Sequence, residues 1–148
     1  MKSSLFKINL SLLLLLVASF SFAQTSDDIQ FEKTTQKFMR VDEGHIITLT
    51  YNFTYSGIVE LNIIPPKVDC SCTEVILPED KIKPNSKKII KIKFDTKDKI
   101  GWQERSVTLQ FTSDQMNSLS IEKTLTFKGM VKASKATKDA YKLSKRKK

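Results

Sequence analysis

The segment HIITLTYNFTY, residues 45–55, alternates apolar and polar side chains along most of its length. Side chains two residues apart in an extended chain lie on the same face, so positions 47, 49, 51, 53 and 55 form one apolar face. The threonines and Asn52 fall on the other face. This period of two, in a segment rich in β-branched and aromatic residues, predicts a half-buried β-strand.

The same pattern recurs between residues 29 and 131 in short segments bounded by turn residues. The predicted strands are residues 29–32, 37–41, 45–55, 59–64, 87–94, 103–112 and 119–131. In the last three, the residues predicted to face the core are Ile90, Ile92, Phe94, Val107, Leu109, Phe111, Ile121, Leu125, Phe127 and Val131. We expect Pro65 and Pro66 to end the fourth strand, because proline has no N–H for a neighbouring strand.

These strands predict an all-β protein. No segment between residues 29 and 131 has the 3.6-residue spacing of a buried helix. About seven strands at intervals near 10–15 residues favour an antiparallel β-sandwich. Gly44, Gly57 and Gly101 fall at predicted turns, where glycine adopts a positive φ at low cost.

Composition and charge narrow the function classes. The 148 residues are 40% hydrophobic and 28% charged, which suits one globular domain. The net charge of +9 lies in the two ends, because residues 1–23 carry +2, residues 132–148 carry +7 and the body between them is neutral. A neutral body predicts no nucleic-acid partner. Four glycines and one histidine argue against phosphate-binding loops and histidine metal sites.

The first 23 residues have the features of a secretory signal peptide. Lys2 and Lys7 precede an apolar run at residues 10–22, and the small residues Ser21 and Ala23 precede Gln24. The run has about 13 residues, whereas a membrane-spanning helix needs about 20. We therefore expect a cleaved leader and no membrane span. The protein would be exported, to the periplasm or the extracellular space.

The last 17 residues, 132–148, carry no strand pattern. The expected domain organisation is a signal peptide at 1–23, a β-sandwich at 24–131 and a basic tail at 132–148. Only alanines and Leu143 approach helical spacing in the tail, so any helix there is expected to be marginal. We predict a solvated, partly disordered extension.

Cys70 and Cys72, in the sequence Cys70-Ser71-Cys72, are the two cysteines of the chain and its most concentrated chemical feature. Three alternatives remain open: buried structural thiols, a reversible disulfide that would need a turn at Ser71, and a copper(I) site made by two thiolates. A bridge between them would be readily reducible and would add little stability, because it closes a very short loop. Zinc would need two further ligands.

Other candidate residues give weaker signals. His45, the one histidine, has no identifiable catalytic partner. The acid pairs Asp27-Asp28 and Glu79-Asp80 fall in predicted tails or loops. Trp102 follows a predicted turn, and we expect it to plug the end of the sandwich rather than bind a ligand. We therefore expect no catalytic residues, no cofactor and no bound metal.

Ordered motifs along residues 29–131 resemble a secreted bacterial family of unknown function that has an immunoglobulin-like sandwich related in shape to ASH/MSP/HYDIN-type domains. The matching motifs are Phe31-Glu32, Glu43-Gly44, Tyr55-Ser56-Gly57, Cys70-Ser71-Cys72-Thr73, Pro84-Asn85, Phe94-Asp95, Gly101 and Gly129-Met130-Val131. Ser71 replaces the glycine of a Cys-Gly-Cys box, Asn85 replaces a turn glycine, and Met39 stands where glycine is usual. Asparagine tolerates the left-handed conformation, so we expect Asn85 to preserve its turn.

Two functions remain. The first is a monomeric, non-enzymatic immunoglobulin-like module that binds an envelope protein or an anionic surface component through an edge strand, a loop end or its basic tail. The alternative is a copper(I) or redox role for Cys70 and Cys72.

We predict that export removes residues 1–23 and leaves Gln24 as the N-terminus, because peptidase pockets accept the small side chains of Ser21 and Ala23. The intact mass of the protein recovered outside the inner membrane tests this. A mass that includes the leader contradicts it.

Overall fold

The computed structural model describes residues 28–116 and 119–146; the predicted leader lies outside them. The strands, in chain order, are β1 (Ile29–Phe31), β2 (Thr35–Lys37), β3 (Val41–Asp42), β4 (Ile46–Tyr55), β5 (Asn62–Val68), β6 (Thr73–Ile76), β7 (Ser86–Asp95), β8 (Gly101–Thr112) and β9 (Ser120–Lys132). Helix α1 (Lys135–Arg146) follows the last strand. One sheet has the order β1-β4-β7-β6, and the other has β2-β9-β8-β5 with β3 also paired to β9.

The core lies between the two sheets, as the alternation predicts. Every residue that the sequence placed inward on β7, β8 and β9 is buried, and so are Leu49, Tyr51, Phe53 and Tyr55 on β4. Aromatic pairs join the sheets: Phe53 packs on Phe111 with ring centroids 5.8 Å apart, and Phe94 on Phe127 at 5.2 Å. These tilted and edge-on pairs are the favoured aromatic geometries.

Tyr51 adds a polar link across this core. Its side chain is fully buried on β4, and its hydroxyl donates to the carbonyl oxygen of Thr126 on β9 at 2.8 Å. Burial raises the pKa of Tyr51 to about 12. The hydrogen bond satisfies a hydroxyl that would otherwise be buried at a cost.

The N-terminal segment crosses from one sheet to the other. β1 pairs antiparallel with β4, and then β2 and β3 pair parallel with β9. The sandwich is antiparallel, as expected, except at these two short strands. Gly129 lets the link after β2 pack closely on β9, because a Cβ at this position would overlap the ring and the carbonyl oxygen of Phe38.

Two predictions about the middle of the chain are wrong. Pro65 and Pro66 do not end a strand, since β5 continues to Val68 through a register shift between Ile64 and Lys67. The prolines are tolerated because β5 lies at a sheet edge and both fall in this register shift, where neither is paired with a residue of β8. β6 was not predicted from the sequence, and the single strand predicted at residues 37–41 corresponds to two short strands, β2 and β3, so the described residues contain nine strands rather than about seven.

The turns follow backbone chemistry. Gly44 and Gly101 have positive φ, as expected, and Asn85 adopts the predicted left-handed conformation with a φ of 54°. Gly57 is different, because its φ is not positive. There the lack of a side chain makes room for the ring of Tyr55, whose hydroxyl donates to the carbonyl of Val59 at 2.8 Å.

The tail departs from the predicted extension, since residues 135–146 form a helix of 12 residues. Ser134 caps it, because its hydroxyl oxygen accepts the N–H of Thr137 at 3.1 Å. The helix side chains from Lys138 to Lys145 are exposed. The helix therefore extends from the end of β9 and is held at its first turn.

Tyr51→Phe is expected to destabilise the fold by about 1–2 kcal/mol at neutral pH, because the mutation removes a buried hydrogen bond. Since the folded pKa of Tyr51 is raised from 10.0 to about 12, its contribution is complete below pH 10 and is lost as the pH rises through 12. Between those values wild type should lose roughly 1–3 kcal/mol relative to Tyr51→Phe. Urea unfolding of both proteins from pH 8 to 11.5 measures this, and parallel pH profiles would contradict it.

Candidate functional site

One end of the sandwich collects the exposed features that could bind something. At this end, which we call the helix end, β4 and β8 begin, β7 and β9 end, and α1 follows. Buried Thr96 organises it: its hydroxyl donates to the carbonyl of His45 at 2.8 Å and accepts the His45 N–H at 2.9 Å. These bonds join the β3–β4 turn to the β7–β8 loop. His45 itself is exposed.

Cys70 and Cys72 lie in the connection between β5 and β6, and their sulfurs form a disulfide. This is the second of the three alternatives left open by the sequence. Their Cα atoms are 5.1 Å apart, because a turn closed by the Thr73 N–H and the Cys70 carbonyl (3.0 Å) shortens the chain at Ser71. In this state neither sulfur is available as a thiolate to hold copper.

Hydrogen bonds position the disulfide independently of its covalent bond. Asp69, at the end of β5, accepts the backbone N–H of Ser106 at 2.8 Å. The Cys72 carbonyl accepts the N–H of Asp95 at 2.9 Å, which ties the turn to β7. The Cys72 N–H points at the sulfur of Cys70 at 3.1 Å.

The disulfide borders an open groove of about 290 Å³. The groove is lined by Ile46, Ser71, Cys72, Glu74, Lys93 and Asp95. Its charges are mixed, since the Lys93 ammonium lies 3.4 Å from Glu74, and Asp95 accepts the N–H of Lys97 at 2.9 Å. Ile46 is 67% exposed and gives this rim an apolar contact. The groove belongs to the helix end because Ile46 opens β4 and Asp95 closes β7.

Trp102 is not the predicted plug, because its side chain is 57% exposed. It pairs across the sheet with Met130 on β9. Met39, which is 86% exposed, lies in the short link between β2 and β3, alongside the same part of β9. We call these three residues the Trp102 patch. The prediction failed because Gln103 fills the inward position instead, where its amide donates to the Lys99 carbonyl at 2.9 Å.

Helix α1, which follows β9 at the same end of the sandwich, presents a basic face. Lys135, Lys138, Lys142 and Lys145 are spaced three and four residues apart, which places them on one side of the helix. Ala136, Ala140 and Leu143 lie on the other side. This face was not predicted from the sequence, although the lysine spacing and Ser134, three residues before Thr137, indicate a capped helix with a basic side.

Glu43 anchors the helix to the β3–β4 turn. Its carboxylate accepts the backbone N–H of Ser134 at 3.1 Å and the hydroxyl of Thr137. The hydrogen bond from Thr137 has the largest effect, and together with those from Ser134 it holds the pKa of Glu43 below its ordinary value of 4.5. A carboxylate is also favoured electrostatically at a helix N-terminus.

The described residues of the acidic pairs considered in the sequence do not contribute to the helix end. Glu79 and Asp80 are exposed in the connection after β6, and Asp27 lies outside the described residues. Within residues 28–116 and 119–146, no three histidine, cysteine or acidic residues are grouped as a metal site. The same residues include no helix long and apolar enough to cross a membrane.

A protein-family model matches residues 29–131. The family is described as "Protein of unknown function (DUF1573)". The chain belongs to the DUF1573 family. Its match covers β1 to Val131 in β9 and stops before α1. No curated protein matches the sequence.

Solved structures show the fold of this DUF1573 domain. The ASH/PapD-like domain 7 of human CEP192 has a TM-score of 0.61 and 7% identity, covering 78% of this chain and 93% of that one. A protein of unknown function from Porphyromonas gingivalis W83 has a TM-score of 0.56 at 13% identity, covering 74% and 51%. The periplasmic chaperone SfaE has a TM-score of 0.54 at 9% identity, covering 70% and 57%. The immunoglobulin-like, PapD-like sandwich is thereby confirmed.

We predict that Glu43→Ala loosens the start of α1, because the Ser134 N–H and the Thr137 hydroxyl lose their acceptor. Backbone amide exchange at residues 137–140 should accelerate by about tenfold, as expected for the loss of a cap. Glu122→Ala, which removes an exposed acid from β9, is the matched control and should leave these amides unchanged.

The same contact gives a pH dependence. Because the folded pKa of Glu43 is lowered, the contact is complete above pH 4.5 and is lost as the pH falls through the folded value. Wild-type exchange at residues 137–140, corrected for intrinsic rates, should approach that of Glu43→Ala as the pH falls below 4.5. A constant difference at every pH contradicts the assignment.

Proposed function

We propose that this chain is an exported, non-enzymatic immunoglobulin-like module that binds an acidic protein surface in the cell envelope through its helix end. The observation that carries the proposal is the exposure of Trp102 beside Met130 and Met39. Tryptophan is enriched among residues that dominate protein interfaces, because it buries a large apolar area with few rotatable bonds. The flexible side chain of Met39, which is exposed, can adapt its shape to a partner.

The sheet edges are less suited to binding than the helix end. Recognition by strand addition needs a row of free backbone N–H and C=O groups. On β5 this row is interrupted by Pro65 and Pro66, and the free side of β9 is occupied by β2 and β3. The remaining edge strands are short, since β1 and β2 have three residues each, β3 has two and β6 has four. Side chains at the helix end therefore form the better binding surface.

The basic face of α1 indicates the charge of the partner. Four lysines on one side of the helix favour an anionic surface and speed the encounter with it. The opposite side carries Ala136, Ala140 and Leu143, which offers little apolar area for insertion between lipids. We therefore assign the helix to an acidic protein rather than to a membrane surface. No nucleic acid is assigned, since Tyr141 is the one aromatic residue of the tail.

Two observations support export. The first is the leader pattern at residues 1–23, and the second is the Cys70–Cys72 disulfide, a bond that persists in oxidising compartments. The periplasmic chaperone SfaE has the same fold class, which fits a protein-binding role. The monomeric state remains part of this proposal.

A crosslinking experiment tests the surface. A photo-crosslinking amino acid replaces Met39 in the helix end or, as the control, exposed Thr48 on the outer face of β4. We expect envelope adducts from position 39 and none of the same mass from position 48. Trp102→Ala should reduce the position-39 adducts about tenfold, which corresponds to the loss of one dominant interface residue.

The helix contribution is tested separately. Replacing Lys135, Lys138, Lys142 and Lys145 by glutamine should weaken the position-39 adducts and reduce their sensitivity to salt. Equal adducts from positions 39 and 48, or adducts unaffected by Trp102→Ala, would falsify the proposed surface. Binding to anionic lipid vesicles with the same dependence on Trp102 would overturn the choice of a protein partner.

A further inference from the structure

The Cys70–Cys72 disulfide does little for the stability of the fold. A disulfide stabilises mainly by restricting the unfolded chain, and the restriction is small when the closed loop contains one residue. The strands on either side are already held by hydrogen bonds, from the Asp95 N–H to the Cys72 carbonyl and from the Ser106 N–H to Asp69. Stability therefore does not account for the presence of this disulfide, and a reaction of its sulfurs is the better explanation.

The two sulfurs lie in different surroundings. Cys72 lines the open groove together with Ile46 and Lys93, whereas Cys70 is not among the residues that line it. The sulfur of Cys70 accepts the backbone N–H of Cys72 at 3.1 Å. A hydrogen bond to a sulfur favours its anionic form, so it makes Cys70 the better leaving group.

We propose that Cys70–Cys72 is a thiol–disulfide exchange site for a protein dithiol, with Cys72 as the sulfur that is attacked. A thiolate of the partner bonds to the sulfur of Cys72 while the bond between Cys72 and Cys70 breaks. Cys70 leaves as a thiolate that the Cys72 N–H stabilises, and it takes a proton from water. The second thiolate of the partner then displaces Cys72, so the partner becomes a disulfide and this chain becomes a dithiol.

The groove favours a protein over a small thiol as the reductant. Ile46 gives the rim an exposed apolar contact, and the Lys93–Glu74 pair and Asp95 give it charges of both signs. Such a surface suits a peptide segment around the partner's cysteine, whereas the rate with a small thiol would not depend on Ile46.

The first test identifies the attacked sulfur. The purified protein is mixed with reduced thioredoxin whose resolving cysteine is replaced by serine, so that the mixed disulfide accumulates. Fragmentation mass spectrometry then locates the linked cysteine. We expect an excess of about fivefold or more on Cys72, since exchange follows sulfur access and leaving-group acidity. The proposal would be overturned if thioredoxin were linked mainly to Cys70 or equally to both cysteines. It would also be overturned if no thioredoxin adduct formed although dithiothreitol reduces the disulfide.

The second test concerns docking. Ile46→Ala should slow adduct formation with thioredoxin by about threefold or more, whereas Ile89→Ala, which shortens an exposed isoleucine on the neighbouring strand outside the groove, should not. Reduction by dithiothreitol should be the same for both variants and wild type. Equal rates with thioredoxin for Ile46→Ala and wild type, or an equal slowing with dithiothreitol, would overturn the role of the groove.

The Trp102 patch has no part in this reaction. Trp102→Ala should therefore leave the thioredoxin adduct unchanged, and failure of either proposal leaves the other standing. The Cys70→Ser/Cys72→Ser protein should keep its melting temperature within a few degrees, because the one-residue loop contributes little. A large loss of stability would show a structural disulfide instead.

Discussion

The hydroxyl of Thr96 determines the geometry of the helix end. It is fully buried, it bonds to both backbone groups of His45, and its oxygen lies 3.4 Å from the Asp42 carbonyl. Through His45 it fixes the β3–β4 turn, from which Glu43 reaches α1. Through the β7–β8 loop it fixes the start of β8, where Trp102 is exposed. An apolar residue at position 96 would leave the His45 N–H without this acceptor, at a cost comparable to losing a hydrogen bond, whereas the His45 carbonyl would still accept the backbone N–H of residue 96.

Two surfaces of different chemistry depend on this arrangement. The Trp102 patch lies on the outer face of the β9–β8 sheet, and the disulfide groove lies on the edge of the β4–β7 sheet. The sandwich keeps them at one end because β4 and β8 begin there. Because the two surfaces lie on opposite sheets, mutations in each remain separable.

The alternation of apolar and polar residues predicted which side chains form the core. It did not predict β6 or the pairing of strands that are distant in sequence. The phase of Ile90, Ile92 and Phe94 was readable because one face of β7 is buried and the other is solvated. β6 was missed because its four residues, TEVI, are too few to establish a phase. The parallel pairing of β2 with β9 has no local signature, since either strand direction produces the same alternation. The alternation along β8 was sufficient to predict the exposure of Trp102. If Val107 faces inward, every second residue back to position 103 does too, so the side chain at position 102 faces solvent. For the cysteines, spacing alone allowed three states, and the turn at Ser71 that selects one depends on contacts with β7.

The pairing of β2 and β3 with β9 also affects the order of folding. Thr35 lies beside Thr126, so the first part of the domain finds its sheet partner in the last strand to be synthesised. Contacts between residues so distant in sequence carry a large loop-closure cost and slow the folding of all-β domains. Until β9 is synthesised, β2 and β3 have no strand to pair with, although the ring of Phe38 can already contact Phe94 on β7. An incomplete chain therefore cannot close this sandwich, and the domain stays open until its final strand is available.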